Sequence, residues 1–162
     1  MIKNISAIVV LVVAIVLQTS ILPVHVATSF KPDLLLVAMV YLALRGPAAQ
    51  GALLAWFLGM FKDVFSGLYL GLNAFSFLII FLVIKSISDL LYAESGELFV
   101  VTVSAATLAC VTLDLILLLM LTSTPGISYS MTSGLLPHLL VNAFAASLIT
   151  LLPVFTSPQE VL

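Results

Sequence analysis

What most constrains this chain is the length of its apolar runs and the shortness of the breaks between them. Punctuation falls at Pro23, Gly46-Pro47, Ser66-Gly67, Glu94 to Glu97 and Pro125-Gly126. Between these marks hydropathy defines six candidate spans, roughly 4–23, 33–45, 47–65, 69–91, 97–122 and 134–155. Lipid offers no partner for an open backbone, and none of the runs alternates as a barrel strand would, so all six are expected to be helices. Composition agrees: 63% of 162 residues are hydrophobic and 7% charged, too few polar side chains to clothe a water-soluble globule. The expected fold is an all-α integral membrane protein, one transmembrane domain over residues 1–162, with no internal repeat.

Two spans have unusual lengths. Thirteen residues of the second reach about 20 Å, short of a hydrocarbon core of about 30 Å, which calls for an earlier start, a partial helix or a thinned bilayer. A count of five spans plus a re-entrant piece is the alternative. The fourth span overshoots, with Lys85 and Asp89 at i, i+4 beside an apolar stripe of Ile84, Ile87, Leu90 and Leu91, as expected of a helix leaving the membrane on an amphipathic end. The start, Met1-Ile2-Lys3-Asn4 and an apolar run to Leu17, has the look of a signal peptide without a clean cleavage site and is read as a retained first span. With the N-terminus cytoplasmic, Lys3, Arg45 and Lys85 fall inside and Lys31 and Lys62 outside, which favours that orientation and an inside C-terminus.

A net charge of -2 with no basic run gives no support for nucleic-acid binding. Cys110 is the sole cysteine, so an internal disulfide and a multi-cysteine metal site are excluded, and a small buried hydrophobe is its simplest role. No phosphate-binding glycine loop or nucleophile with a His/Asp setting is present, so neither enzyme activity nor a cofactor is expected.

The residues that stand out are small or polar ones in apolar surroundings. Gly51, Ala55, Gly59, Asp63, Gly67 and Gly71 recur every fourth residue, and at least the first four share one helix face that admits close backbone approach. That face serves packing within the chain or the docking of a partner helix. Lys62 lies about 100° around the helix, where its stem reaches toward headgroups. Asp63 falls in the last turn before Ser66-Gly67, the wrong end of a helix for a carboxylate, and is expected to clamp the break, compensated by the following backbone N–H groups there or by a side chain from another span.

Asp114 lies deep in the fifth span and is the sharper anomaly, since intramembrane carboxylates face the bundle interior. Its expected partners are His138 and Asn142, one turn apart on the sixth span, and Asn73 at the start of the fourth; whether it is an anion or a neutral donor is left open. His138 follows Pro137, which suits a helix's first turn near the surface, and a metal role for it is disfavoured. Tyr41, Tyr69 and Tyr92 suit interfacial anchors, whereas Trp56, mid-span, suits packing.

Three stretches together resemble the rod shape-determining protein MreD family of bacteria. They are Lys31-Pro32-Asp33-Leu34-Leu35-Leu36 running to Arg45-Gly46-Pro47; Gly59 to Gly71, with Gly59, Asp63, Gly67 and Gly71 on the family's glycine-aspartate-glycine pattern; and, less specifically, Asp114 with Val141-Asn142. The resemblance implies a non-enzymatic plasma-membrane scaffold of the cell-elongation machinery. Its six helices would be arranged as in the substrate-binding subunits of energy-coupling-factor transporters. It also implies a partnership with MreC through that protein's transmembrane helix. Through MreC the chain would connect to MreB, to the peptidoglycan-synthesising RodA and to a class B penicillin-binding protein; homo-oligomerisation is open. The competing expectation is a vitamin-type transporter subunit on the same bundle. Against it, Ala7 is followed four later by Leu11 and Ala14 by Gln18, where such subunits have an Ala-x-x-x-Ala face. Only Ser128, Tyr129, Ser130 and Thr132 in the fifth loop would serve as a polar pocket.

Overall fold

The computed structural model describes residue 16 and residues 31–66, 69–88, 95–121 and 127–151. Of the expected features, the rest of the first span, Gly67, Asp89, Tyr92 and the C-terminal residues lie outside these. The described residues are helical, with no strands: α1 Leu34–Arg45, α2 Ala48–Ser66, α3 Leu72–Ser88, α4 Gly96–Leu121 and α5 Ile127–Thr150. Among them α4 is long and apolar enough to cross a membrane alone; α1, α3 and the Gly134–Thr150 part of α5 are shorter apolar helices.

Two helical hairpins, α2–α3 and α4–α5, enclose α1, which touches all four of the other helices. No residue of α1 is exposed, and Leu35, Leu36, Val37, Met39, Val40 and Ala43 are almost wholly buried. A helix apolar around its whole circumference suits a central position. The core continues into Phe77 and Phe81 of α3 and Phe99 and Val103 of α4. Outward, α2, α4 and α5 present large apolar side chains, among them Phe57, Val64, Leu119 and Phe144.

The α2–α3 pairing is a direct outcome of the four-residue spacing of small side chains. A Cβ on Gly51 would come within 2.5 Å of the Phe81 ring, and one on Gly59 within 2.6 Å of Ala74 N and Asn73 O. Ala55 between them is fully buried. The expected alternative, that Gly51, Ala55 and Gly59 receive a partner helix, is corrected by this geometry: the chain's own α3 fills that face. Gly71 belongs to the turn instead, with a φ of +97° that favours glycine and open space around it.

The last helix departs from expectation at its start. It begins at Ile127, so Pro137 lies inside it and does not open it, and Ser128, Tyr129, Ser130 and Thr132 are helical where a loop was expected. Serine, threonine and tyrosine lower the hydropathy without preventing a helix, and membrane helices tolerate an internal proline. Trp56 is 37% exposed, with Phe57 against its ring.

Candidate functional site

The polar residues gather at one end of α2 and α3 and in the half of α4 that faces it. Asp63 lies in the final turns of α2, where its charge opposes the helix dipole. The following helix supplies the compensation: the Asp63 carboxylate accepts from Gly71 N at 2.9 Å, Asn73 N at 3.0 Å, Asn73 Nδ2 at 2.9 Å and Ala74 N at 3.2 Å. These backbone groups are those of Gly71, just before α3, and of the first turn of α3, whose N–H groups have no partner within the helix. Asp63 is thus a capping residue delivered from a neighbouring helix, 2% exposed. Its bonds fall eight to eleven residues on, beyond the Ser66-Gly67 break at which the sequence pointed. Among the described residues, the buried Oδ1 of Asn73 meets no hydrogen-bond donor.

Lys62 is the clearest correction. Its Nζ is engaged within the chain, 2.6 Å from Asp33 Oδ2 and 5.1 Å above the Phe77 ring, an ion pair supplemented by a cation–π contact. Asp33 does more than pair with it. Its Oδ1 accepts from Leu36 N at 3.1 Å as the N-cap of α1, and its own N–H donates to Asn142 Oδ1 at 2.7 Å. Asn142 then donates through Nδ2 to Thr107 Oγ1 at 3.1 Å. The chain Lys62–Asp33–Asn142–Thr107 therefore ties α2, α1, α5 and α4 together.

Asp114 is buried inside α4, as its position suggested, but its neighbours are different from those expected. Ser76 Oγ donates to Oδ1, and the Cys110 thiol, one turn earlier on α4, lies 3.8 Å from Oδ2. Asn73 is held by Asp63 and Asn142 by Asp33 and Thr107, so neither converges on Asp114. His138 lies over Gly134 of its own helix and, among the described residues, joins none of these hydrogen bonds. Sequence reasoning overlooked Thr107 and Ser76, and gave no role to Asp33 within the stretch that carries the family resemblance. A signal existed for each: Asp33 precedes an apolar run as an N-cap should, Ser76 sits one turn after Asn73, and Thr107 is one turn and two turns before Cys110 and Asp114.

The opposite end of the same helices is closed more simply. Lys85 Nζ donates to Gly46 O at 2.9 Å, joining α3 to the α1–α2 connection. Arg45 lies 5.7 Å from the centre of the Tyr41 ring, which meets Phe99 edge-on at 6.5 Å. No group of three or more His, Cys, Asp or Glu side chains placed to hold a metal occurs among the described residues.

Carboxylates that cap a helix, pair with one lysine or accept one hydroxyl fasten helices to one another. Comparison with known proteins gives this architecture its context. The family model for the rod shape-determining protein MreD matches residues 1–157, nearly the whole chain. No curated protein and no solved structure matches it significantly. A match of that extent, on a helical chain with an apolar membrane-crossing span, makes this protein a member of the MreD family, bacterial membrane proteins concerned with cell shape.

Proposed function

We propose that the protein is a non-enzymatic scaffold of the bacterial cell-elongation machinery that receives the transmembrane helix of MreC. Through MreC it would be linked to MreB, RodA and a class B penicillin-binding protein. In this reading it is a multi-pass protein of the plasma membrane with a cytoplasmic N-terminus and six spans, the apolar run 4–23 preceding the five described helices. The fold would resemble the substrate-binding subunits of energy-coupling-factor transporters.

One observation carries the reading. Asp33, Asp63, Asn73, Asp114 and Asn142 each direct polar atoms to another element of the chain itself. Among the described residues, the side chains turned outward are predominantly apolar, with Gln50, Ser86, Glu97 and Thr112 among the exceptions. With α3 filling the glycine face, the receiving surface falls on α5, where Leu136, Leu140, Phe144 and Leu148 form an exposed ridge at four-residue spacing. Such a ridge is the surface that ridge-into-groove packing needs, and helix association in lipid rests on packing contacts of this kind.

The test is co-purification of the full-length protein under mild solubilisation, with mass spectrometry of what accompanies it. MreC is expected, and Phe144→Ala is expected to reduce its recovery with an unchanged unfolding midpoint. Recovery of a tightly bound vitamin without any protein partner would replace the scaffold by a transporter subunit.

A further inference from the structure

The Lys62–Asp33 ion pair is not fully enclosed: the two side chains are 25% and 13% exposed. At the far end of the same helices, Arg45 and the Lys85–Gly46 bond mark a second polar level. The distance between the levels is short. From Asp33 to Arg45 along α1, and from Asn73 to Lys85 along α3, twelve residues give about 18 Å; from Gly46 to Lys62 along α2 the rise is about 24 Å. Each is less than a hydrocarbon core of about 30 Å, and any tilt shortens it further.

The other side of the bundle has a different height. Outward positions of α4 run from Val101 to Leu121, about 30 Å. They are apolar throughout except Thr112, whose hydroxyl returns to its own backbone at Leu108 O. Ile116, Leu119 and Met120 continue this apolar face past the level of Asp114.

A flat bilayer of ordinary thickness fitted to α4 would leave the exposed part of the Lys62–Asp33 pair facing hydrocarbon. A charge exposed there is far more costly than a few ångströms of local compression, the usual response to a short hydrophobic face. We propose that the α2–α3 side holds the bilayer locally thin, drawing phospholipid headgroups and their water down to Lys62 and Asp33, while α4 meets a bilayer of ordinary thickness. The occupant of the α2–α3 face is then lipid, and the molecule presents two different membrane thicknesses on opposite sides. This rests on the membrane location alone and goes beyond the scaffold reading.

The test compares two exposed positions beside the same turns of α3. Val64 follows Asp63, which binds Asn73 and Ala74, and Ile116 lies two residues after Asp114, which binds Ser76. Full-length Val64→Cys and Ile116→Cys proteins are reconstituted in dioleoylphosphatidylcholine vesicles and treated with a membrane-impermeant maleimide; the native Cys110 is buried and supplies the background. Val64→Cys is expected to react about tenfold faster, the ratio given by a modest difference in hydration free energy. Equal rates, or a faster Ile116→Cys, would overturn the proposal. A second measurement uses the unaltered chain: its thermal unfolding midpoint is expected to be higher in myristoleoyl than in erucoyl bilayers, and the reverse order or no difference would also overturn it.

Discussion

The two hairpins of this molecule are held together in different ways. In α2–α3 the backbones themselves meet at Gly59, which lacks the atoms that would keep Ala74 away, Gly51 makes room for the Phe81 ring, and Asp63 bonds the main chain of α3. In α4–α5 the helices meet through side chains, with Thr107 taking the amide of Asn142 and Thr150 lying against Gly96. Backbone contact fixes a pairing without room for adjustment, whereas side chains can repack. The first hairpin is therefore expected to be intolerant of change and the second forgiving, although the two look equally apolar in sequence.

The largest effect should come from Gly59→Leu, which places a side chain where the Ala74 backbone lies. Overpacking against main chain has no inexpensive relief, and a loss of about 3 kcal/mol or more is expected, read as failure to recover monodisperse protein or as a collapsed unfolding midpoint. A folded variant of near-native stability would break the contrast between the hairpins. Next is Asp63→Ala, which strips four donors of their acceptor; about 3 kcal/mol is expected from chemical denaturation in micelles, with Asp63→Asn recovering part of it. Asn142→Leu should follow at about 2 kcal/mol, since it leaves Asp33 N–H and the Thr107 hydroxyl without this partner. Asp114→Asn is expected to be mild, about 1 kcal/mol or less, because an amide oxygen still accepts from Ser76. Should Asp114→Asn prove as damaging as Asp63→Ala, the α4 carboxyl would have a role beyond holding α3.

How much of this could be read in the sequence varies from helix to helix. The fifth candidate span, 97–122, and α4 agree within a residue at each end, because a long apolar run bounded by Glu94 to Glu97 on one side and Pro125-Gly126 on the other has one interpretation. The second, 33–45, agrees as closely with α1 because Asp33 caps one end and Gly46-Pro47 closes the other. The start of α5 was illegible for a simple reason: hydropathy falls over Ser128 to Thr132, and a proline nearby offered a more conventional beginning.

The site divides in the same way. That Asp63 faces the packing side and Asp114 the interior follows from periodicity and the cost of a carboxyl in lipid. Their partners do not, because a partner is fixed by which helices become neighbours. Lys62 shows this most plainly. Its angular position on α2 fits a side chain bound for headgroups, but Asp33, twenty-nine residues earlier, is brought within reach by the placement of α1 between the hairpins. No property of the local sequence encodes that encounter.

The hydrogen bond from Asp33 to Asn142 spans 109 positions in the chain. Its meaning for biosynthesis is one of order. α1 leaves the ribosome early, short and charged at both ends, while the amide that accepts from its first turn arrives with the last of the described helices. The element around which everything else is arranged is thus the one whose seat is completed last, and until then its hold on the membrane depends on the neighbours already made.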